Sequence, residues 1–219
     1  MITLGTGVGS GIVVDGKVVY GSDGYAGELG HVIIDHTGNG RQCGCGRKGC
    51  LETYCSATGV ARTAREFLSK SDAASELRNM NPEDITSYDV FLAAEKGDKI
   101  ALDIFDYTGT ILGRSCADFA TFNTPEAFVF FGGLTKAGEY LMKPLRKAIE
   151  QNLLHLKQCC LACRRLCLMK FRKGKLFPTQ SAGTKYSSFA AVERRNQQFG
   201  FVLIHKQNVL FIGFAERFH

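Results

Sequence analysis

Cys43, Cys45 and Cys50 stand in the pattern Cys-x-Cys-x4-Cys, and His31 precedes them in the segment Glu28-Leu29-Gly30-His31. Zn²⁺ prefers thiolate and imidazole donors, so three thiols and one imidazole within about two dozen residues suffice for a tetrahedral site. Gly44 and Gly46 let the chain bend tightly enough for Cys43 and Cys45 to reach one ion. Cys50 closes the set after Gly49. His31 would bind through one ring nitrogen, and the other must find its own partner, such as a substrate hydroxyl. The competing reading is three reduced spectator cysteines. The run is only moderately specific by itself, and His31 beside Glu28 favours the metal.

Glu28 and Glu52 flank these four residues. An ionised carboxylate only accepts hydrogen bonds, so a pair of them suits vicinal hydroxyls, which donate. A sugar is the natural ligand for such a pair. The alternative is two solvated surface charges, and their placement on either side of the loop favours the substrate role.

Two glycine clusters offer backbone N–H groups. Gly5-Thr6-Gly7-Val8-Gly9-Ser10-Gly11 has the composition to wrap phosphate oxygens. It lacks the Gly-x4-Gly-Lys-Ser/Thr pattern and leads into a hairpin, not a helix, so it is not a P-loop. Taken alone, a structural turn is the better reading. Gly132-Gly133, after an apolar run, is equally weak alone, because glycines there often serve only helix packing.

The elements that must position these groups read as α/β. Ile12-Val13-Val14 and Lys17-Val18-Val19-Tyr20 surround Asp15-Gly16, a strong hairpin signal. Val32-Ile33-Ile34 reads as a further short strand. Apolar residues at helical spacing predict a helix over Cys55–Lys70, with Ser56 or Thr58 as its cap. Asn81-Pro82-Glu83-Asp84 marks a loop and a new helix start, and a short helix over Tyr88–Ala94 breaks at Gly97. Asp98 caps a longer helix over roughly 99–121, with Ala101, Leu102, Ile104, Phe105, Ile111 and Leu112 inward. Asn123-Thr124-Pro125 ends it. Ala127–Phe131 is expected as a buried strand, followed by a helix from Lys136 to Leu154. Further strands fall at Phe201–His205 and Val209–Phe214.

The chain has 219 residues and is 45% hydrophobic, enough to bury a core. No apolar run approaches the ~18 residues that span a bilayer. The N-terminus lacks a basic region ahead of an apolar stretch, so a signal peptide is not expected. Nine cysteines, an odd number with three assigned to the metal motif, fit a reducing, cytoplasmic setting better than a disulfide framework. The net charge of +6 hides two compositions. Residues 156–219 hold 12 Lys and Arg against 2 Asp and Glu, while residues 1–155 hold 15 against 19.

Together, Gly5-Thr6-Gly7-Val8-Gly9, Ala26-Gly27-Glu28-Leu29-Gly30-His31, Cys43-Gly44-Cys45-Gly46 through Gly49-Cys50-Leu51-Glu52, and Phe131-Gly132-Gly133 resemble the ROK family of sugar kinases and repressors. The glucokinases of that family are the nearest in pattern. The resemblance runs over residues 1–154. It implies an actin-like, ribonuclease-H-type ATPase fold, ATP with Mg²⁺, a structural Zn²⁺, phosphorylation of a hexose at its 6-hydroxyl, and a homodimer. It assigns His31, Cys43, Cys45 and Cys50 to zinc, and Glu28, His31 and Glu52 to sugar hydroxyls. It assigns Gly5, Thr6, Gly7 and Gly9 to the ATP phosphates, and Gly132 and Gly133 to the adenosine side.

The departures are expectations of equal weight. The family's Asp-x-Gly-Gly-Thr phosphate motif, its first lobe and the catalytic Asp of an Asn-Asp pair have no counterpart here, so no residue inherits the catalytic role. The chain is therefore expected to be the C-terminal part of such an enzyme, with weak activity or none alone. A non-catalytic zinc- and sugar-binding remnant, or a repressor-type relative, is the alternative. The domain boundary is placed at 155. Residues 156–219 form a basic, Cys-rich tail, read as out-of-frame translation against a divergent or disordered ending. A second metal site over Cys159–Cys167 and nucleic-acid binding by this tail are weaker readings, since a basic run is more often simply solvated.

Overall fold

The computed structural model describes residues 1–154 and, beyond them, four strands within 169–214. The chain opens with β1 (Ile2–Leu4), which turns through Gly5–Gly7 into the antiparallel β2 (Val8–Ser10). The hairpin predicted around Asp15-Gly16 forms as β3 (Val13–Val14) and β4 (Lys17–Val18). Its two turn residues have φ of 50° and 75°. Both central residues of this turn type need positive φ, which Asp and Gly tolerate best.

Val32–Ile34 is not a strand, contrary to expectation. Ile33 makes one antiparallel bridge to Cys50. The flanking backbone bonds the thiol loop instead, with Ile34 N to Gly49 O at 2.8 Å and Leu51 N to Val32 O at 2.9 Å.

The helix expected from Cys55 divides into α1 (Glu52–Cys55) and α2 (Ala57–Lys70). Ser56 is extended between them and caps α2, its Oγ accepting from Gly59 N at 3.0 Å. Val60, Ala61, Ala64 and Leu68 form the buried stripe of α2. Thr86 caps α3 (Ser87–Glu95) with a reciprocal Asp89 bond. Asp98 caps α4 (Lys99–Asn123) as predicted. Leu102 is exposed rather than inward, because it lies off the buried stripe that Ala101, Ile104 and Phe105 form on the same turn.

Past α4 the predicted strand shortens to β5 (Phe130–Phe131), which pairs parallel with β1, Ile2 opposite Phe130. A single 3₁₀ turn over Gly133–Ala137 precedes α5 (Glu139–Asn152). Helix α5 packs along α4. Gly109 and Gly113 make that approach close, because a Cβ at either would stand 2.7 or 2.5 Å from a carbonyl oxygen of Leu141 or Leu145.

The core gathers Ile2, Leu4, Leu51, Val60, Ile104, Phe105, Phe130 and Leu145 from the sheet and all the long helices. Beyond residue 154, Met169–Arg172 pairs with Lys175–Pro178, and Gly200–His205 with Asn208–Phe214. The last two strands match those expected from the sequence. Cys159, Cys160, Cys163 and Cys167 lie outside the described residues. No described helix is long and apolar enough to cross a membrane.

Candidate metal centre and substrate site

The site begins at the end of β2. Ser10 Oγ accepts from Leu29 N at 2.8 Å and donates to Gly27 O, which fastens the Glu28–His31 segment to the strand. Gly30 lies flat against β2; a Cβ there would stand 2.0 Å from Val8 O. One 3₁₀ turn over Leu29–His31 then delivers His31 to the loop of thiols.

The loop folds on its own backbone. Cys43 N donates to Arg47 O at 2.9 Å, and Gly46 N to Cys43 O at 3.1 Å. The ligand atoms of His31, Cys43, Cys45 and Cys50 all lie within 4.8 Å of one another. Cys45 Sγ and Cys50 Sγ are 3.6 Å apart, and Cys43 Sγ is 3.7 Å from His31 Nδ1. A disulfide would need about 2.05 Å. Tetrahedral zinc with bonds of about 2.3 Å to sulfur sets neighbouring ligands about 3.8 Å apart. The donor set and its spacing therefore fit Zn²⁺.

The three thiols sit in unlike fields. Burial, together with its bond to Glu52, pushes the Cys43 thiol up to about 12. The backbone amide and then the side chain of Arg47 pull exposed Cys45 down to about 6. Burial raises Cys50 as well.

Glu52 opens α1 at the far end of the loop. Its Oε1 accepts from Cys43 Sγ at 3.0 Å and lies 3.7 Å from His31 Nδ1. Its Oε2 points to the glycine turn, where a Cβ on Gly7 would be 2.8 Å away. Five residues predicted for the site, His31, Cys43, Cys45, Cys50 and Glu52, thus come together, and Gly7 adjoins them. Glu28 is exposed one turn before His31, its carbonyl accepting from His31 N at 3.1 Å.

The two glycine clusters meet as well. Because β1 and β5 run parallel, Gly5 and Gly132 leave the same edge of the sheet. Gly132 is pressed on β1; with φ of 108°, it would place a Cβ 2.4 Å from Leu4 O. Ligands of open α/β sheets bind outside the carboxyl ends of strands, which is where Gly5–Gly7 and Gly132-Gly133 stand, whereas Gly9 lies within β2 opposite Thr3. The turn is tied to α2 through Ala57 N to Gly5 O and Thr58 Oγ1 to Thr6 O, both 2.8 Å.

The sequence profile of the ROK family matches residues 1–170. The chain belongs to the ROK family. The glucokinase of Halalkalibacterium halodurans is 42% identical over 151 residues, 68% of this chain and 46% of that protein. The N-acetylmannosamine kinase of Salmonella typhi is 34% identical over 140 residues, 64% of this chain and 43% of that protein.

Among solved structures, a ROK family glucokinase from Streptomyces griseus, in complex with glucose and AMPPNP, superposes with a TM-score of 0.64 at 34% identity. It covers 70% of this chain and 50% of its own. A ROK family transcriptional regulator, homologous to the E. coli MLC protein, gives 0.59 at 32% identity over 70% of this chain and 37% of its own. The chain thus spans about half the length of the curated relatives it matches. Over that span its fold is the α/β, actin-like fold of the family's sugar kinases.

Sequence reading missed two supports of this ROK site. Ser10 was hidden in the glycine run. Arg41 is a lone cation between Gly40 and Gln42, and its position inside the protein leaves no periodic trace.

Proposed function

We propose that residues 1–155 form the sugar- and nucleotide-binding part of a ROK hexose kinase, which transfers the γ-phosphoryl group of ATP to the 6-hydroxyl of a hexose, with glucose as the first choice. The observation that carries this reading is the position of Glu52. One carboxylate faces the thiol cluster with one oxygen and the glycine turn with the other.

His31, Cys43, Cys45 and Cys50 would hold a structural Zn²⁺, which supplies rigidity to the loop rather than chemistry to the sugar. Glu52 and Glu28 accept hydrogen bonds from sugar hydroxyls. His31 turns Nδ1 toward the thiols, which leaves Nε2 to meet the sugar. Gly5, Thr6, Gly7 and Gly9 line the ATP phosphates, and Gly132-Gly133 lies beside the adenosine. ATP supplies the phosphoryl group, and its Mg²⁺ neutralises charge as the group moves.

No residue of this chain is assigned the catalytic base. An absent base costs ~10²–10⁴-fold, so turnover by this chain alone is expected to be far below that of the full-length relatives. Assembly as a homodimer in the cytoplasm completes the reading.

Resemblance to a ROK regulator supports a second reading, a sugar-binding protein that transfers nothing. Calorimetric titration with glucose and with ADP, beside a coupled phosphorylation assay, separates the two. Binding of both ligands supports the kinase part. Glucose binding without nucleotide binding supports the second reading, and neither binding refutes both.

A further inference from the structure

We propose that Arg41 is a positioning residue for the sugar site: it locks both ends of the thiol loop to α2 and so sets Glu52 independently of the metal. This rests on the reading above, in which Glu52 contacts the sugar.

Arg41 is a charged side chain only 5% exposed. A buried guanidinium is tolerated only when its donors are paired. Nε and Nη2 reach the two oxygens of Glu66 on α2 at 3.0 and 2.7 Å. Nη2 also donates to Thr63 Oγ1 at 2.9 Å. Nη1 donates to Thr53 O at 2.8 Å and, more weakly, to Gly59 O at 3.3 Å. The guanidinium carbon lies 4.4 Å from the centre of the Tyr54 ring.

The backbone of Arg41 joins the same network. Its N–H donates to Tyr54 Oη at 3.2 Å, and its carbonyl accepts from Gly49 N at 2.9 Å.

These contacts select particular points of the loop. Arg41 enters it two residues before Cys43. Gly49 immediately precedes Cys50, and Thr53 immediately follows Glu52. One side chain therefore fastens the entry of the loop to its exit, and both to a capped helix fourteen residues long. A bidentate arginine–carboxylate pair fixes direction as well as distance. Lysine, with a single point charge, holds neither the Glu66 fork nor Thr53 O at once. The thiol loop carries Glu52 on one side through its backbone, and the Arg41 clamp holds the adjoining Thr53 on the other.

Three variants of the chain test this: Arg41→Lys, Arg41→Ala and Glu66→Gln. Glu66→Gln keeps size but turns one of the two acceptor oxygens into an NH2 donor, which breaks the fork while Thr53 O, Gly59 O and Thr63 Oγ1 still take bonds from the guanidinium, so it is the milder variant. For each, glucose affinity is measured by calorimetry and bound zinc by elemental analysis. Arg41→Ala is also titrated in the presence of methylguanidinium or methylammonium.

The expected result is zinc retained at the wild-type ratio and glucose affinity lowered on the order of tenfold or more, the range typical of groups that orient ligands. Methylguanidinium restores the affinity of Arg41→Ala and methylammonium does not. Wild-type glucose affinity in zinc-loaded Arg41→Lys and Glu66→Gln overturns the role of Arg41 alone. So does a loss of affinity that only follows loss of zinc. Absence of glucose binding by the unmodified chain overturns the sugar reading, and this inference with it.

Discussion

Glu52 fills the space that a side chain on Gly7 would need: an ideal Cβ on Gly7 stands 2.8 Å from Glu52 Oε2. The atom displaced is the tip of a flexible side chain, so Gly7→Ala should fold. Its carboxylate must swing away from the glycine turn. Glucose affinity is expected to fall roughly tenfold, the scale of one lost charged hydrogen bond. Calorimetry with glucose checks this, alongside a thermal melt close to wild type.

Cys43→Ser removes a buried thiol that contacts both the proposed metal and Glu52. A hydroxyl is a poor zinc ligand. Elemental analysis should find zinc in the wild type and little in the variant. Because binding a structural metal is coupled to folding, a chelator should lower the melting temperature of the wild type and leave that of Cys43→Ser unchanged.

Gly30→Ala places a methyl group 2.0 Å from a backbone carbonyl, that of Val8. No rotamer relieves such a contact, so either β2 or the His31 turn must move. The cost is expected near ~3 kcal/mol, the upper end for overpacking. Urea unfolding measures it, and an unchanged midpoint would show that the two segments are not in contact.

Asp98 governs a pH-dependent part of stability. Its Oδ1 accepts from Ala101 N at 3.1 Å and its Oδ2 from Glu76 N at 2.8 Å, so it caps α4 and ties down the segment before α3. Burial tends to raise its pKa, but the bonds from Ser75 and three backbone amides outweigh this and hold it below the usual carboxylate value. A depressed folded pKa gives stability that is complete above the unfolded value of about 4 and is lost as pH falls through the folded one. Asp98→Ala should cost ~1 kcal/mol at neutral pH, as lost caps do. The gap in melting temperature from wild type should narrow below about pH 4.

Glu28→Gln keeps shape and removes charge at an exposed position one turn before His31. Glucose affinity should drop on the order of tenfold, the lower end of the ~1.5–3 kcal/mol range of hydrogen bonds to charged groups. ADP affinity should hold. An equal loss of both would remove Glu28 from the sugar site.

Where a feature depends on a few neighbouring residues, the sequence was enough. Asp15-Gly16 determined a hairpin turn, Asp98 a helix cap, and the Cys-x-Cys-x4-Cys run a loop of thiols, because positive φ, capping bonds and ligand spacing act within a handful of residues. The ROK resemblance was legible for the same reason, as its motifs are short and contiguous.

Tertiary structure decided everything that required distant segments to meet. Val32–Ile34 has strand-like composition, yet Gly49 and Leu51 took its backbone bonds. Parallel pairing of β1 with β5 brought Gly5 and Gly132 to one edge, and no local pattern encodes that register. Arg41 looks like any surface cation until α2 folds over it and Glu66 completes its charge. Local geometry is set by bonded neighbours, whereas burial, pairing and the partner of a charge exist only once the chain has closed on itself.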